Sequence, residues 1–337
     1  MIYFFKKTFV FFFFIFCSYF IYLQINILLS SQINSATLAS SYADKNTQAI
    51  TPIPVKQNLN KAIVLLGKQL FFETRLSKND TVSCASCHNI HNAGVDGLII
   101  SAGIHGQIGS FNAPTVFNSS LNFKQFWDGR ANTLEDQIDG PINNPVEMDS
   151  SWSEVIEKLT ASAKYAKLFK MLFPKQGITE QSIKNAIVTF ERSLLTPNSR
   201  FDLYLKGQQD AITKNEKKGY QLFNNLGCIS CHQGVNVGGN MFAKMGVIHD
   251  YFADKELITK ADLGRFKITK KNEDKYLFKV PGLRNIELTG PYFHDGQTRI
   301  LKSAVQKMAY YQLGVKLSEK ETRLIVAFLK TLTAKVE

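Results

Sequence analysis

The sequence is poor in cysteine, in strand signals and in long apolar runs. Only five cysteines occur in 337 residues, and four of them fall into two close pairs. A scaffold stapled by many disulfides is therefore excluded. Stretches with the two-residue alternation of a half-buried strand are sparse, which points away from sandwiches and barrels and toward helices. No low-complexity tract follows the amino-terminal segment. The formal net charge is +12, yet no basic run carries the interleaved aromatics of a nucleic-acid surface. Scattered Lys and Arg make a solvated exterior, or one that steers an acidic redox partner. Apolar residues form 45% of the chain, an ordinary share for a globular protein.

The paired cysteines stand in two copies of one pentapeptide, Cys84-Ala85-Ser86-Cys87-His88 and Cys228-Ile229-Ser230-Cys231-His232. Two thiols on one tight turn can add across the vinyl groups of a haem, and the adjacent imidazole can ligate its iron. The copies lie about one small domain apart. A zinc site would need both pairs to converge in an all-cysteine cluster, which leaves both histidines unexplained. A local disulfide leaves them unexplained too. Two covalent c-type haems are expected.

One long apolar run exists. Met1 to Lys7 is short and basic, Thr8 to Leu29 is apolar and dominated by phenylalanine, and Ser30 to about Thr47 is polar with small residues. That order is expected of a secretory signal or a retained inner-membrane anchor. The run is close to the ~20 residues that span a bilayer. Cleavage near Ala36 or Ala43 and retention are the two alternatives. Cys17, with Phe16 before it, fits a lipoprotein cleavage site poorly and reads as part of the signal. Export to the periplasm agrees with the haem reading, because c-type haem is attached beyond the bacterial inner membrane.

The remaining length suffices for two domains, each with its own core. Segment 1–43 is the signal or anchor, 44–197 the first haem domain and 198–337 the second, with the break near Thr196-Pro197-Asn198. Helical periodicity runs from Ala62 to Phe72 toward the first haem turn. Ser151-x-x-Glu154 is a capping box opening an apolar stripe that ends near Leu172, before Pro174. Ile183, Ala186, Ile187, Phe190 and Leu194 mark another helix, ended by Pro197. Thr213-x-x-Glu216 caps a helix leading into the second haem turn, and Ser318-x-x-Glu321 opens the last one. Long irregular loops are expected over 89–132 and 233–296, and loops of that length are usually functional.

Further motifs align with a known family. Arg75-Leu76-Ser77, Asn112-Ala113-Pro114-Thr115, Gln125-Phe126-Trp127-Asp128-Gly129-Arg130-Ala131, Leu134-Glu135-Asp136-Gln137, Val146-Glu147-Met148, Pro281-Gly282-Leu283-Arg284-Asn285 and Pro291-Tyr292-Phe293-His294-Asp295-Gly296 occur in this order around the two haem motifs. Together they make the chain resemble the bacterial dihaem cytochrome c peroxidases over nearly its whole exported part. The resemblance implies an all-α fold of two class-I cytochrome c-like domains, one covalent haem c in each, with long loops at their interface. It implies reduction of hydrogen peroxide with electrons from a small cytochrome c or cupredoxin. Electrons would enter at the carboxy-terminal haem on His232, with Met308 as its second ligand, and pass to the peroxidatic haem on His88. A thioether ligand raises a haem potential, whereas helix packing is the bland reading of Met308.

By the same resemblance Glu147 moves the proton that heterolysis of peroxide requires, Gln137 orients peroxide or water, and Trp127 lies between the haems. Without it, Glu147 reads as an exposed loop residue, Gln137 as a helix-surface residue and Trp127 as core. A calcium ion would sit between the domains on the Asn112 side chain and the backbone oxygens of Thr289 and Pro291. One position departs from the pattern. Ile104 stands where many members carry a distal histidine, and His105 follows it. Either His105 caps the amino-terminal haem, or the site is open when oxidised. His294 is expected to play a structural hydrogen-bonding role, while His91 and His249 read as surface residues. Members of the family often dimerise, but the sequence carries no signal for it. Two rivals remain. One is the related class that oxidises a protein substrate to mature a tryptophan-derived quinone and uses a tyrosine at the second haem; Tyr310 and Tyr311 keep it open. The other is a non-catalytic dihaem electron carrier.

Overall fold

A computed structural model describes residues 48–334 apart from residue 56, so the signal or anchor segment, Cys17 and both cleavage positions lie outside the described residues. Eleven helices and one small hairpin make up the regular structure among them. In chain order the helices are α1 (Lys61–Phe71), α2 (Cys84–Cys87), α3 (Leu134–Asn143), α4 (Trp152–Thr160), α5 (Ala163–Leu172) and α6 (Glu180–Ser193). They continue with α7 (Arg200–Leu205), α8 (Lys214–Asn225), α9 (Phe266–Thr269), α10 (Leu301–Leu313) and α11 (Glu319–Lys330). The hairpin pairs β1 (Phe242–Lys244) with β2 (Leu277–Lys279), antiparallel. The all-α expectation holds. Among the described residues no helix is long and apolar enough to cross a membrane.

Local signals account for most helix ends. The capping boxes at Ser151, Thr213 and Ser318 all form, and so do two more at Thr179 and Ser199. Asn60 caps α1 through the amides of Ala62 and Ile63. The stripe expected to run unbroken to Leu172 is instead two helices, because Ser162 is extended between α4 and α5. Buried Leu159 and Tyr165 are six positions apart, which matches no single helix face. The break resets the register so that both side chains reach the core.

Each half is built by the same crossing. Helix α1 precedes the first haem turn by a short loop and crosses α6 at Gly67, where a Cβ would lie 1.9 Å from the Ala186 carbonyl oxygen. Helix α8 runs into the second haem turn and crosses α11 at Gly219, with the Leu324 carbonyl oxygen again 1.9 Å from the position of a Cβ. Only glycine permits backbones this close. Around the first crossing packs a core of Leu66, Leu70, Phe71, Leu159, Phe169, Ile183 and Ile187. Around the second pack Phe201, Phe223, Ile325, Phe328 and Leu329, joined by Ile50. Against a third cluster, Met245, Tyr251, Phe252 and Phe278, pack Phe111, Trp127 and Met308.

Thr196 is fully buried where the chain passes from one half to the other. Its Oγ1 accepts from Asn118 Nδ2 at 2.8 Å and from Asn285 Nδ2 at 3.0 Å, and its N–H donates to Asn118 Oδ1. The two long loops carry short helical turns, isolated bridges and the hairpin. They bring the site residues together.

Candidate functional site

Two cavities, of about 390 and 260 Å³, open beside the two haem turns. Cys84, Cys87 and His88 line the first; Cys228, Cys231 and His232 line the second. All four cysteines are free thiols. Burial pushes the Cys84 thiol up to about 12 and those of Cys87 and Cys228 to about 11. Neither pair has the depressed thiol of a redox-active Cys-x-x-Cys. Burial pulls both imidazoles down, His232 to about 4, so the rings are neutral, the form that ligates iron. The Nδ1 atoms of His88 and His232 are buried without a well-aligned partner. Two thiols and a neutral imidazole facing an open cavity, twice over, fit covalent haem.

The first cavity also gathers Gln137 of α3 and Glu147 of the loop after it. Asn144 Nδ2 donates to Glu147 Oε1 at 2.6 Å. Burial raises the Glu147 carboxyl above the usual range, opposed by the Asn144 bond and the charge of Arg130. Arg130 is itself held on Asp128 at 3.0 Å. A strap over residues 103–107 lies on this loop. Ile104 N donates to the Glu147 carbonyl at 2.8 Å. A Cβ at Gly103 would sit 2.2 Å from the Val146 carbonyl oxygen, so glycine is required there. In the strap Ile104 is wholly buried, while His105 is exposed with a φ of 54° and is not among the residues lining the cavity.

The cavities share a wall. Asn112 to Thr115, Asn122, Trp127 and Lys279 line both. Trp127 is fixed at two atoms: its indole N–H donates to the Asn112 carbonyl at 2.9 Å, and its own carbonyl accepts from Lys279 N at 2.8 Å. It belongs to a loop whose form recurs. Phe126-Trp127-Asp128-Gly129 and Phe293-His294-Asp295-Gly296 both have a positive φ at Phe and Gly. Both are closed by a bridge, Gln125 to Ala131 and Tyr292 to Thr298. Trp127 and His294 hold equivalent positions, and their rings meet edge-on with centroids 6.5 Å apart. His294 is buried, its Nε2 2.7 Å from Asp262 Oδ1. Asp262 and Asp295 together hold Lys255, at 2.7 and 2.8 Å.

Met308 of α10 lines the second cavity with His232. Tyr310 and Tyr311 do not line it. Tyr310 stacks on His249 with centroids 4.3 Å apart, and Tyr311 donates to Asp254 at 2.8 Å. Asn112, Thr289 and Pro291 all line this cavity. The amide nitrogen of Asn112 is engaged by the carbonyls of Leu98 and Ile99, which leaves its oxygen to offer a cation.

The model of the di-haem cytochrome c peroxidase family matches residues 61–210, and that of cytochrome c matches residues 216–333. Cytochrome c551 peroxidase of Nitrosomonas europaea is 44% identical over 90% of this chain and 91% of that protein. This chain belongs to the dihaem cytochrome c peroxidase family. It is accordingly a haem-dependent oxidoreductase with two c-type haems, one in each half. Cytochrome c peroxidase Ccp of Escherichia coli is 45% identical over 87% of the chain, which spans 64% of that longer family member. A solved MauG-like protein associated with microbial copper homeostasis is 29% identical. It superposes with a TM-score of 0.73, covering 87% of this chain and 95% of that one.

Two cavity residues escape a reading of the sequence. Glu191 of α6 lines the first cavity, buried, with Oε2 meeting no partner; burial, aided by the charge of Glu135, lifts it to about 8. Lys279 ends β2 in the shared wall. The repeated Phe-x-Asp-Gly was the available signal for the paired loops.

Proposed function

We propose that the protein reduces hydrogen peroxide to water in the periplasm, with electrons from a small cytochrome c or cupredoxin. They would enter at the carboxy-terminal half and leave to peroxide in the amino-terminal half. The observation that carries this reading is the convergence of Glu147 and Gln137 on the cavity of Cys84, Cys87 and His88. When bound, the haems supply the iron that meets peroxide and a store for one electron each.

The chain's own residues do the rest. Asn144 occupies Oε1 of Glu147, so Oε2 takes the proton from the near oxygen of peroxide and returns it to the far one. A carboxyl raised toward the working pH suits such a shuttle. Gln137 orients the peroxide beside it. Trp127, shared by both cavities and bonded at its N–H and its carbonyl, holds an aromatic surface rigidly between the halves. Met308, which lines the second cavity with His232, would be the second residue to hold the carboxy-terminal haem iron. The engagement of Tyr310 and Tyr311 elsewhere supports a thioether over the tyrosine that the protein-oxidising class uses. Calcium would bind the Asn112 side chain and the backbone oxygens of Thr289 and Pro291, hard oxygen donors of the kind it prefers. His105 is held exposed in the strap and does not line the cavity, so it would not serve as a ligand of the amino-terminal haem.

The test is steady-state oxidation of a reduced small cytochrome c by hydrogen peroxide, with as-isolated and pre-reduced enzyme side by side. Turnover by both is expected. Turnover only after pre-reduction would return His105 to the role of a departing ligand. No turnover with several cytochrome and cupredoxin donors would reject the peroxidase reading.

A further inference from the structure

Lys279 is 6% exposed and lines both cavities. The one other buried lysine among the described residues is matched: Lys184 meets Asp139 and Glu180, each at 2.6 Å. Lys279 has no such partner among the described residues. Burial alone acts on it, pushing its ammonium down to about 8. Two of the other three cations lining the cavities have an anionic partner. Arg130 is paired with Asp128, Arg284 with Asp202 at 2.7 Å, and Lys267 lies over the Phe111 ring. A buried ammonium without an anion is among the costliest arrangements in a protein interior. Its counter-charge must come from what fills the cavities, and each haem c carries two propionates.

We propose that Lys279 is the shared counter-cation of the two haems, bonded at the common wall to a propionate of each, and that it thereby ties their reduction potentials together. A positive charge between the haems favours the electron-rich form of both. The adjacent bond from Lys279 N to the Trp127 carbonyl fixes the residue's backbone in the wall that both cavities share. The inference rests on the two haems and not on peroxide as substrate.

The experiment is a spectroelectrochemical titration of both haems in the holoenzyme, comparing the parent with Lys279→Met, Lys279→Gln and Lys279→Arg. Resonance Raman of the propionate bending bands accompanies it. Loss of the charge in Met and Gln should lower both midpoints, by about tenfold in the reduced-to-oxidised ratio at a fixed poise, and should move the propionate bands of both haems. Arg should keep both near the parent. Midpoints and bands unchanged at either haem, in whichever uncharged variant retains two haems, would overturn the proposal.

Discussion

Glu191 provides the sharpest quantitative test of the structure. Its carboxyl is buried against the first cavity with one oxygen unpartnered, and it is lifted from 4.5 to about 8. Between those values the folded protein holds a proton that the unfolded chain has released. Stability therefore falls as pH rises from about 4.5 to about 8, and is level on either side. At about 1.4 kcal/mol per pH unit, the whole window is worth at most about 5 kcal/mol. Glu191→Gln keeps the shape and removes the titration. The variant should match the parent at pH 4.5 and exceed it increasingly up to pH 8, by as much as roughly 10 °C in melting temperature. The assay is thermal unfolding of both holoproteins across that range, followed by far-ultraviolet circular dichroism. A difference that stays constant with pH would refute the reasoning, because it would mean that Glu191 is charged in the fold or already paired.

Glu147→Gln should lower peroxide turnover by about 10²–10⁴-fold without changing haem content. The acidic limb of the parent's pH profile should lie above that of a free glutamate, since burial raises the carboxyl; a limb at the free value would count against Glu147 as the shuttle. Met308→Ala should lower the potential of the carboxy-terminal haem, as loss of a thioether does, and an unchanged spectrum would remove Met308 from the ligand set. Gly219→Ala should destabilise by about 1–3 kcal/mol or more, because the added Cβ meets the Leu324 carbonyl oxygen; denaturant unfolding at equal haem content measures it.

What was legible in the sequence was local. Cys-x-x-Cys-His states its chemistry within five residues, and the capping boxes at Ser151, Thr213 and Ser318 need only a neighbour three positions on. The motif run carried the resemblance that placed Trp127, Gln137, Glu147 and Met308 among the candidates. Residues whose role depends on a distant neighbour were hidden. Glu191 sits beside Phe190 and Arg192 in an amphipathic helix, where a glutamate ordinarily meets water. Lys279 looks like an exposed end of a strand until the cavities close on it. The split between α4 and α5 follows from the demand of the core for both Leu159 and Tyr165, which no capping signal announces. His105 could not be separated from Ile104 by counting. That distinction is made by Gly103 lying on the Val146 carbonyl, a contact across more than forty residues.

The recurrence of the Phe-x-Asp-Gly loop has a consequence for polarity. Trp127 and His294 approach each other from equivalent loops, and the helix preceding each haem turn crosses its partner through the same glycine device. These repeated devices do not by themselves set a direction for electron transfer. The side chains that these repeated loops carry differ. An indole faces an imidazole bonded to Asp262, one cavity holds the Glu147 carboxyl, and the other holds Met308. The repeated backbone is thus a shared support, and the difference between the two haem sites lies in the side chains set upon it.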